Sequence, residues 1–408
     1  MRVTLKEKQT LRELAKRYAE LAALDIQKER RGRARDVNDL IPRRPVVWIH
    51  EIPWHEMDID NKLRLTCEDE SARGMEWFFK SELFRWEYFQ ADMVVEGYFP
   101  VMRKYASSGN GLQVLENTAV TDERNNIISH YYLDQLDTPE KVEALKMPVI
   151  TAFPEEDAKR VEAAEDILNG ILPVKPRGYM VYHAPWDNIP RMRGVETVMM
   201  DFIDNPGLLH ATIKKYTDYQ LSQMRQMEEL GLYDGGAPDI HCTPAYVSGF
   251  TDGPSKLKGI WFRGMAQMFS DISPAMHEEF DLRYMRPLME QCGLVYYGCC
   301  ESLENKIQML KSIPNLRKIG VSPWANPEKC AEQIRGDYVY AHKPNPAFVS
   351  GSFDADTVRR EITRVVKTCA EHKCPYEFVL KDISTVSYKP SNLIEWARAV
   401  KETLDGYY

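Results

Sequence analysis

The C-terminal half of the chain alternates short apolar runs with longer segments of helical patterning. We interpret the runs as strands, and they lie at 46–49, 179–183, 239–242, 294–297, 316–322, 338–343 and 377–382. Strands that alternate with helices of about ten to fifteen residues are typical of right-handed β-α units in a parallel sheet. This alternation therefore predicts an α/β fold built around one parallel sheet.

Nearly every run ends in residues that can do chemistry. They are His50 and Glu51, His183, His241 and Cys242, Cys299 to Glu301, Ser322, His342 and Lys343, and Asp382. In a (β/α)8 TIM barrel the C-terminal ends of all eight strands converge on one mouth, where the active site lies. We therefore predict an enzyme with this fold and one domain over 1–408. Residues 1–40 form a helical extension, and about 85–137 form an inserted cap over the mouth.

Composition and charge limit the partners. The formal net charge is −8, so no general positive field attracts the chain to nucleic acid or to an anionic membrane. No apolar run approaches the roughly 18 residues of a membrane span, and we predict a cytoplasmic protein. The first helix carries an apolar stripe, Leu11, Leu14, Tyr18 and Leu21, that packs either on the barrel or across a homodimer interface.

A metal site is one use for the polar strand ends. Zinc takes thiolate, imidazole and carboxylate ligands, and a catalytic zinc keeps one position open. His241, Cys299, Cys300 and Glu301 supply these types, with Asp382 as a further carboxylate. Adjacent cysteines rarely bind the same ion, so we expect one of the pair to be a ligand and the other a packed thiol. For His241 alone, a hydrogen-bonded core histidine is the alternative.

Aromatic residues near the strand ends predict a substrate pocket. Those that we assign to substrate binding, together with two histidines, are Trp54, His183, Trp186, Tyr296, Tyr297 and His342. Such a pocket would suit a planar methoxylated aromatic or a cationic methylamine. The alternative for each aromatic side chain is an ordinary place in the barrel core. No glycine-rich dinucleotide or phosphate-loop motif follows any of the strands.

From about Gly178 to the C-terminus the chain resembles the uroporphyrinogen decarboxylase superfamily. The segments that carry the resemblance are 193–206, 272–274 with its helix, 295–303 and 345–347, and 136–145 fits a short proline-led helix of that family. Members are (β/α)8 barrels with two main chemistries. The decarboxylases use no cofactor and hold carboxylates with an N-terminal arginine pair, whereas the cobalamin and coenzyme M methyltransferases bind zinc.

Residue by residue, the methyltransferase branch is the closer of the two. Its His-x-Cys zinc motif falls on Tyr297-Gly298-Cys299, with Tyr in place of His, and a shift of one residue selects Cys300. Asp382 is the nearest carboxylate to the position of the last-strand Cys in that branch. The arginine pair of the decarboxylases is absent after the first strand, where the chain has residues 50–55 instead.

The resemblance therefore implies a methyltransferase that takes a methyl group from a small methoxylated or methylated substrate. The acceptor would be a corrinoid protein, as in the O-demethylation of anaerobic one-carbon metabolism. The expected catalytic residues are His50, Glu51, His241, Glu301 and Asp382, with zinc at His241, Cys299, Cys300 and Glu301. The alternative is a carbon–carbon lyase of the decarboxylase type that acts without metal.

Overall fold

The fold is built on a parallel sheet of seven strands. The computed structural model describes residues 3–89, 91–120, 123 and 128–408. In chain order the strands are β1 Val46–Ile49, β2 Val181–His183, β3 Trp261–Gly264, β4 Leu294–Tyr297, β5 Leu316–Val321, β6 Val339–His342 and β7 Tyr376–Leu380. Their spatial order is β1-β7-β6-β5-β4-β3-β2, and every pair is parallel. The prediction of a parallel sheet with intervening helices is confirmed.

Strand alternation gives the sheet two different faces. Val47, Val295, Phe262, Tyr340 and Phe378 belong to the large core beneath the helices. Their neighbours in sequence point to the other side, which we call the interior face, because successive side chains of a strand alternate. The interior face carries charged and aromatic side chains beside a few aliphatic ones such as Val379 and Ala341, and the candidate site is built on it.

Seven strands, and not the predicted eight, pair in the sheet among the described residues, and β1 and β2 are its two edges. The outer side of β1 receives the segment around Asp92, whose N–H donates to the Val47 carbonyl at 2.9 Å. The Asp92 carboxylate accepts from the Val47 N–H at 2.9 Å. A chain segment without regular strand pairing thus covers the edge where the barrel was expected to continue.

The prediction that 239–242 is a strand of the parallel sheet is wrong. Asp239–Ile240 pairs antiparallel with Thr243–Pro244, and this hairpin has no pairing with the seven-stranded sheet. Ile240 packs against Trp261, Tyr296 and Ala341, so the hairpin lies against the interior face. A strand that the sequence analysis did not include, β3, takes its position between β2 and β4.

Helices cover the outer face of the sheet and the N-terminal side. Several begin with a proline in the first turn, where the missing N–H costs nothing. Their bounds are Leu5–Ala22, Asp25–Asn38, Glu70–Tyr88, Pro139–Glu143, Pro154–Leu168, Pro185–Arg193, Val195–Asp204, Pro206–Glu229, Pro274–His277, Arg283–Met289, Ile307–Leu310, Pro327–Ile334, Ala347–Ser350, Ala355–Glu371 and Pro390–Asp405. A π-helical turn, Glu278–Leu282, joins two of them. Among the described residues, no helix combines the length and apolarity that crossing a membrane requires.

The apolar stripe of the first helix is buried within the chain. Leu11, Ala15 and Tyr18 are buried, and the Tyr18 ring lies 5.4 Å from both Phe78 and Phe79 of the helix Glu70–Tyr88. Leu14 and Leu21 of the stripe are half-buried against the same cluster. The organisation of residues 1–408 as one domain stays a prediction.

The predicted insertion at about 85–137 contains one antiparallel pair of strands. Glu116–Ala119 pairs with Ser129–Tyr132, and residues 90, 121, 122 and 124–127 of the predicted insertion lie outside the described residues. Two further strands of the region pair with strands outside it. Phe99–Met102 pairs with Val174–Arg177, and Tyr105–Ser107 pairs with Ile150–Ala152. The antiparallel pair packs against the helix Pro185–Arg193, which begins directly after β2.

Glu76 holds a loop against the helix Glu70–Tyr88 and gives the fold a pH-dependent contact. Its buried carboxylate accepts from the Cys67 N–H at 2.9 Å and from the Thr66 N–H and hydroxyl, and Lys80 lies at 2.8 Å. Burial opposes ionisation, but Lys80 and these donors outweigh it and lower the pKa of Glu76 to about 2. A carboxylate with a lowered pKa stabilises the fold above its unfolded pKa, and that contribution is lost as the pH falls through the folded value.

We expect Glu76→Gln to lower the free energy of unfolding by about 2 kcal/mol near neutral pH. The difference from the wild type should shrink as the pH falls from about 5 to about 2, because the wild-type carboxylate then becomes protonated. Urea unfolding at a series of pH values measures it, with Glu20→Gln on an exposed helix face as the matched control. A difference that is independent of pH would contradict this account.

Candidate active site

Two carboxylates meet where β1 and β7 end side by side. Ile49 is paired with Leu380, and beyond them the His50 N–H donates to the Leu380 carbonyl at 2.9 Å. The Asp382 N–H donates to Glu51 Oε2 at 2.9 Å. Glu51 and Asp382 both have left-handed backbone, with φ of 50° and 56°. Such conformations cost energy in residues other than glycine and are concentrated at functional sites.

The thiol pair follows the end of β4 and lies next to these carboxylates. Gly298 has φ of 97°, and a Cβ there would lie 2.4 Å from Leu303, so the turn requires glycine. Cys299 is buried and Cys300 is partly exposed, with their sulfur atoms 3.8 Å apart. Cys300 Sγ lies 3.1 Å from Asp382 Oδ2. Cys299, Cys300 and Asp382 thus form a thiol–carboxylate cluster, which we call the thiol cluster.

Lys381 connects this cluster to Glu51. Its Nζ lies 3.3 Å from Cys299 Sγ, 2.7 Å from Asp382 Oδ2 and 3.5 Å from Glu51 Oε2. Burial disfavours the ammonium form, but the negative charges of Cys299, Asp382 and Glu51 outweigh it and raise the pKa of Lys381. The ammonium group therefore stays charged in a buried place.

The two thiols share one proton unequally. The hydrogen bond from Cys300, then His241 and the nearby cations Lys343 and Arg263, lower the pKa of Cys299 against the effect of burial. The pKa of Cys300 is raised, because a thiolate next to it and burial both disfavour a second negative charge. Cys299 is therefore the thiolate of the pair, and Cys300 keeps its proton.

The interior hairpin brings His241 and Cys242 to the same place. Lys318 Nζ donates to Thr243 Oγ1 at 3.0 Å, and Asn38 Nδ2 donates to the Pro244 carbonyl at 2.9 Å, which fixes the base of the hairpin. The two-residue tip consists of His241, with left-handed backbone (φ 57°), and Cys242.

The tip bridges the two edges of the sheet. The His241 ring lies 5.3 Å from the ring of Tyr182 on β2, and its Nε2 is 3.9 Å from Glu51 Oε1 beyond β1. Cys242 Sγ lies 3.4 Å from the same Glu51 oxygen. Glu51 consequently contacts both the hairpin tip and the Lys381 group.

Cations dominate the interior face below the thiol cluster. The Arg263 guanidinium lies 3.9 Å from the centre of the Tyr296 ring, with Lys343 Nζ at 5.5 Å and Lys318 Nζ at 5.6 Å. Lys318 is paired with Glu377 at 2.9 Å, and both side chains are fully buried. Arg263 donates to the Gly264 carbonyl at 2.7 Å. This face therefore has a positive potential that favours thiolate and other anions.

A cavity of about 490 Å³ opens between the two edge strands. Its lining combines aromatic rings, among them Trp48, Tyr98, Tyr182 and Tyr246, with His50, His241 and several charged side chains. The size is within the usual range for small-molecule sites, roughly 300–1,000 Å³. His50 and His241 connect the cavity to Glu51 and the hairpin tip.

Of the predicted catalytic and metal residues, His50, Glu51, His241, Cys299, Cys300 and Asp382 are brought together. Glu301 is placed differently, because both of its oxygens are used by the backbone. It is fully buried and accepts from the Ala266 N–H at 3.1 Å and from the Cys299 N–H at 2.7 Å. The structure assigns Glu301 to fixing the Cys299 turn, in place of the predicted metal-binding and catalytic roles.

Tyr296 is the one residue of the predicted substrate-binding set that faces the interior. Trp54 packs on Trp77 at 5.4 Å, and Trp186 lies in an aromatic core with Phe269 at 4.8 Å. Their predicted contact with substrate is therefore replaced by packing against other aromatic rings.

His183, Tyr297 and His342 point away from the interior because of strand alternation. Burial lowers the pKa of His183 to about 3. The Tyr297 hydroxyl donates to Asp281 at 2.6 Å, and His342 Nε2 lies 3.4 Å from Glu361. Each is on the same side of its strand as core residues, and the interior positions belong to Tyr182, Tyr296 and Lys343.

Several residues near the thiol cluster were assigned no specific role in the sequence analysis. Lys381, Arg263 and Asp187 were not named there, and Cys242 and Lys343 were named only as polar residues at strand ends. A charged residue within a buried run, such as Arg263 in Trp261–Gly264, was the available signal, because a buried charge needs a partner. Asp187 accepts from Gln267 Nε2 at 2.8 Å, and burial raises its pKa to about 6.

Of three comparisons with known proteins, the one with solved structures gives information on the fold. No protein-family model matches the chain, and no curated protein matches it in sequence. Among solved structures, a methyltransferase from Methanosarcina mazei matches with a TM-score of 0.51 and 11% sequence identity. The match covers 93% of this chain and 99% of that chain. At this identity the likeness shows a shared α/β architecture, which is consistent with a TIM-like fold.

The buried Lys318–Glu377 pair supports both the sheet and the hairpin base. We expect Lys318→Met to lower the free energy of unfolding by about 3–5 kcal/mol, because Glu377 is then a buried charge without a partner. The double variant Lys318→Met/Glu377→Leu should lose less, since no unpaired charge remains. Lys401→Met, in an exposed pair with Asp405, is the control and should cost less than about 1 kcal/mol. Equal losses in the single and double variants, measured by urea unfolding, would refute this role.

Proposed function

We propose that the protein is a methyltransferase that moves a methyl group from a small methoxylated or methylated substrate to a corrinoid protein. The observation that carries the proposal is the thiol cluster with His241 and Lys381, built at the strand ends beside an aromatic cavity. The shared fold with a chain described as a methyltransferase supports the same reaction class. The reaction would take place inside the cell, where corrinoid proteins are found.

The cavity supports a small donor with a planar or cationic group. The rings of Trp48, Tyr98, Tyr182 and Tyr246 line it, and such rings bind methoxyarenes by stacking and methylammonium groups by cation–π attraction. His50 and His241 lie at the side nearest the thiol cluster. We place the methyl group of the donor at that side.

The donor set of the thiol cluster fits zinc. Cys299 supplies the thiolate, in line with the expectation that only one of the two adjacent cysteines is a ligand. Asp382 and His241 supply the further carboxylate and imidazole. A bound zinc ion would supply Lewis-acid polarisation of the heteroatom that loses the methyl group. Lys381 neutralises the same cluster in the absence of an ion.

Proton balance assigns roles to the remaining groups. When a methyl group leaves an ether oxygen for the reduced corrinoid, the oxygen keeps the electron pair of the broken bond and needs one proton. Asp239 lines the cavity, and burial raises its pKa to about 6, so we assign it as the acid for this step. Asp382 and Glu51 hold Lys381 and the hairpin tip in place. The corrinoid protein then carries the methyl group away. Homodimer formation stays a prediction.

A metal-free carbon–carbon lyase is the second candidate. The observation that favours it is that two cations, Arg85 and Arg177, line the cavity, where their positive charges would attract a substrate carboxylate. Carbon dioxide release from carboxylated aromatic substrates in the presence of a chelator would identify this activity.

The decisive experiment is incubation with reduced cob(I)alamin and a panel of methoxyarenes and methylamines. We expect at least one donor to form methylcobalamin, detected by absorbance. Cys299→Ser should lower the rate by at least about 10-fold, because the thiolate and its charge are removed. Cys292→Ser, a buried cysteine beneath the outer helices, is the matched control and should keep the wild-type rate. Failure with every donor would overturn the proposal.

A further inference from the structure

A second group of donor atoms lies beside the thiol cluster and shares none of its residues. It consists of His50, Glu51 and Cys242, each of which offers one ligand atom within 4.8 Å of the others. Cys242 Sγ lies 3.4 Å from Glu51 Oε1. The group combines imidazole, carboxylate and thiol, which is the ligand mixture that zinc and similar borderline-soft cations take.

The His50 imidazole is prepared for a ligand role. Its Nδ1 atom is buried and has no hydrogen-bond partner among the described residues. A buried ring nitrogen without a partner is costly unless something else binds to it.

The backbone holds the three donors in position from separate parts of the chain. His50 and Glu51 follow β1, and Glu51 has left-handed backbone (φ 50°). Cys242 is at the tip of the interior hairpin, where His241 is also left-handed, and its side chain packs against Trp48 and Val379. Two strained positions at one point indicate a geometry maintained for a purpose beyond packing.

We propose that His50, Glu51 and Cys242 form a second cation site, for Zn²⁺ or a divalent ion of the same class. An ion there would have three protein ligands and an open position toward the aromatic cavity, which His50 lines. Bonds of about 2.0–2.3 Å give ligand separations of roughly 3.3–3.8 Å. The 3.4 Å between Cys242 Sγ and Glu51 Oε1 is already in this range, and the other donor atoms lie within 4.8 Å of one another. The proposal is independent of methyl transfer.

Lys381 separates this site from the thiol cluster. The Lys381 ammonium group lies between them, 3.3 Å from Cys299 Sγ and 3.5 Å from Glu51 Oε2. Glu51 Oε2 accepts from the Asp382 N–H, whereas Oε1 faces Cys242. Each group of donors can therefore be removed by substitution without deleting a ligand of the other.

The test is zinc binding by the full chain after chelator treatment, by equilibrium dialysis and metal analysis. The background is Cys299→Ser/Cys300→Ser, which removes the thiol cluster, and we expect it still to bind one zinc ion per chain. Adding Cys242→Ser or His50→Gln should weaken that binding by at least about 10-fold. His183→Gln, a buried histidine on the opposite face of its strand, is the matched control and should change nothing.

Cobalt(II) provides a second readout that distinguishes a thiolate ligand from general binding. In the Cys299→Ser/Cys300→Ser background, cobalt should produce a sulfur-to-metal charge-transfer band that Cys242→Ser abolishes. Circular dichroism and thermal unfolding establish that each variant is folded. A folded Cys299→Ser/Cys300→Ser protein that binds no zinc, or one whose zinc affinity is unchanged by Cys242→Ser, would overturn the proposal.

Discussion

The arrangement of the site depends on the buried ammonium group of Lys381. Its Nζ contacts Cys299, Asp382 and Glu51, which follow three different strands. Without this charge, two carboxylates and a thiolate would repel each other in a place with little water to screen them. Lys381 therefore allows the strand ends to approach closely. A cation bound nearby would share that role.

The sequence alone was sufficient to predict the parallel sheet and the end of the sheet at which the polar residues meet. It was insufficient to predict on which side of its strand each residue lies. Tyr296 and Tyr297 are adjacent and equally aromatic, yet one faces the interior cations and the other bonds to Asp281. The side of a strand that faces the core can be read from the sequence when apolar and polar residues alternate. In β4 every residue is apolar or aromatic, so the sequence does not show which side that is.

The interior hairpin explains the largest difference between the predicted and observed folds. A run such as Asp239 to Cys242 has the composition of a strand end, but the following Thr243–Pro244 pairs back on it. The β3 strand was missed because Arg263 interrupts its apolar pattern, and Arg263 is tolerated there by stacking on Tyr296. The residue that accommodates Arg263 lies more than thirty positions away in the chain, so the sequence around Arg263 does not identify it.

The hairpin also gives the cavity a chemical function. Since β1 and β2 do not pair with each other among the described residues, the space between them is lined by side chains instead of backbone hydrogen bonds. His241 lines this space from the interior hairpin, and His50 lines it from the end of β1. Their neighbours in the chain, Cys242 and Glu51, contact each other at 3.4 Å. An unpaired sheet edge is normally a liability. In this chain the segment around Asp92 covers the outer side of β1, and the cavity lies between the two edge strands.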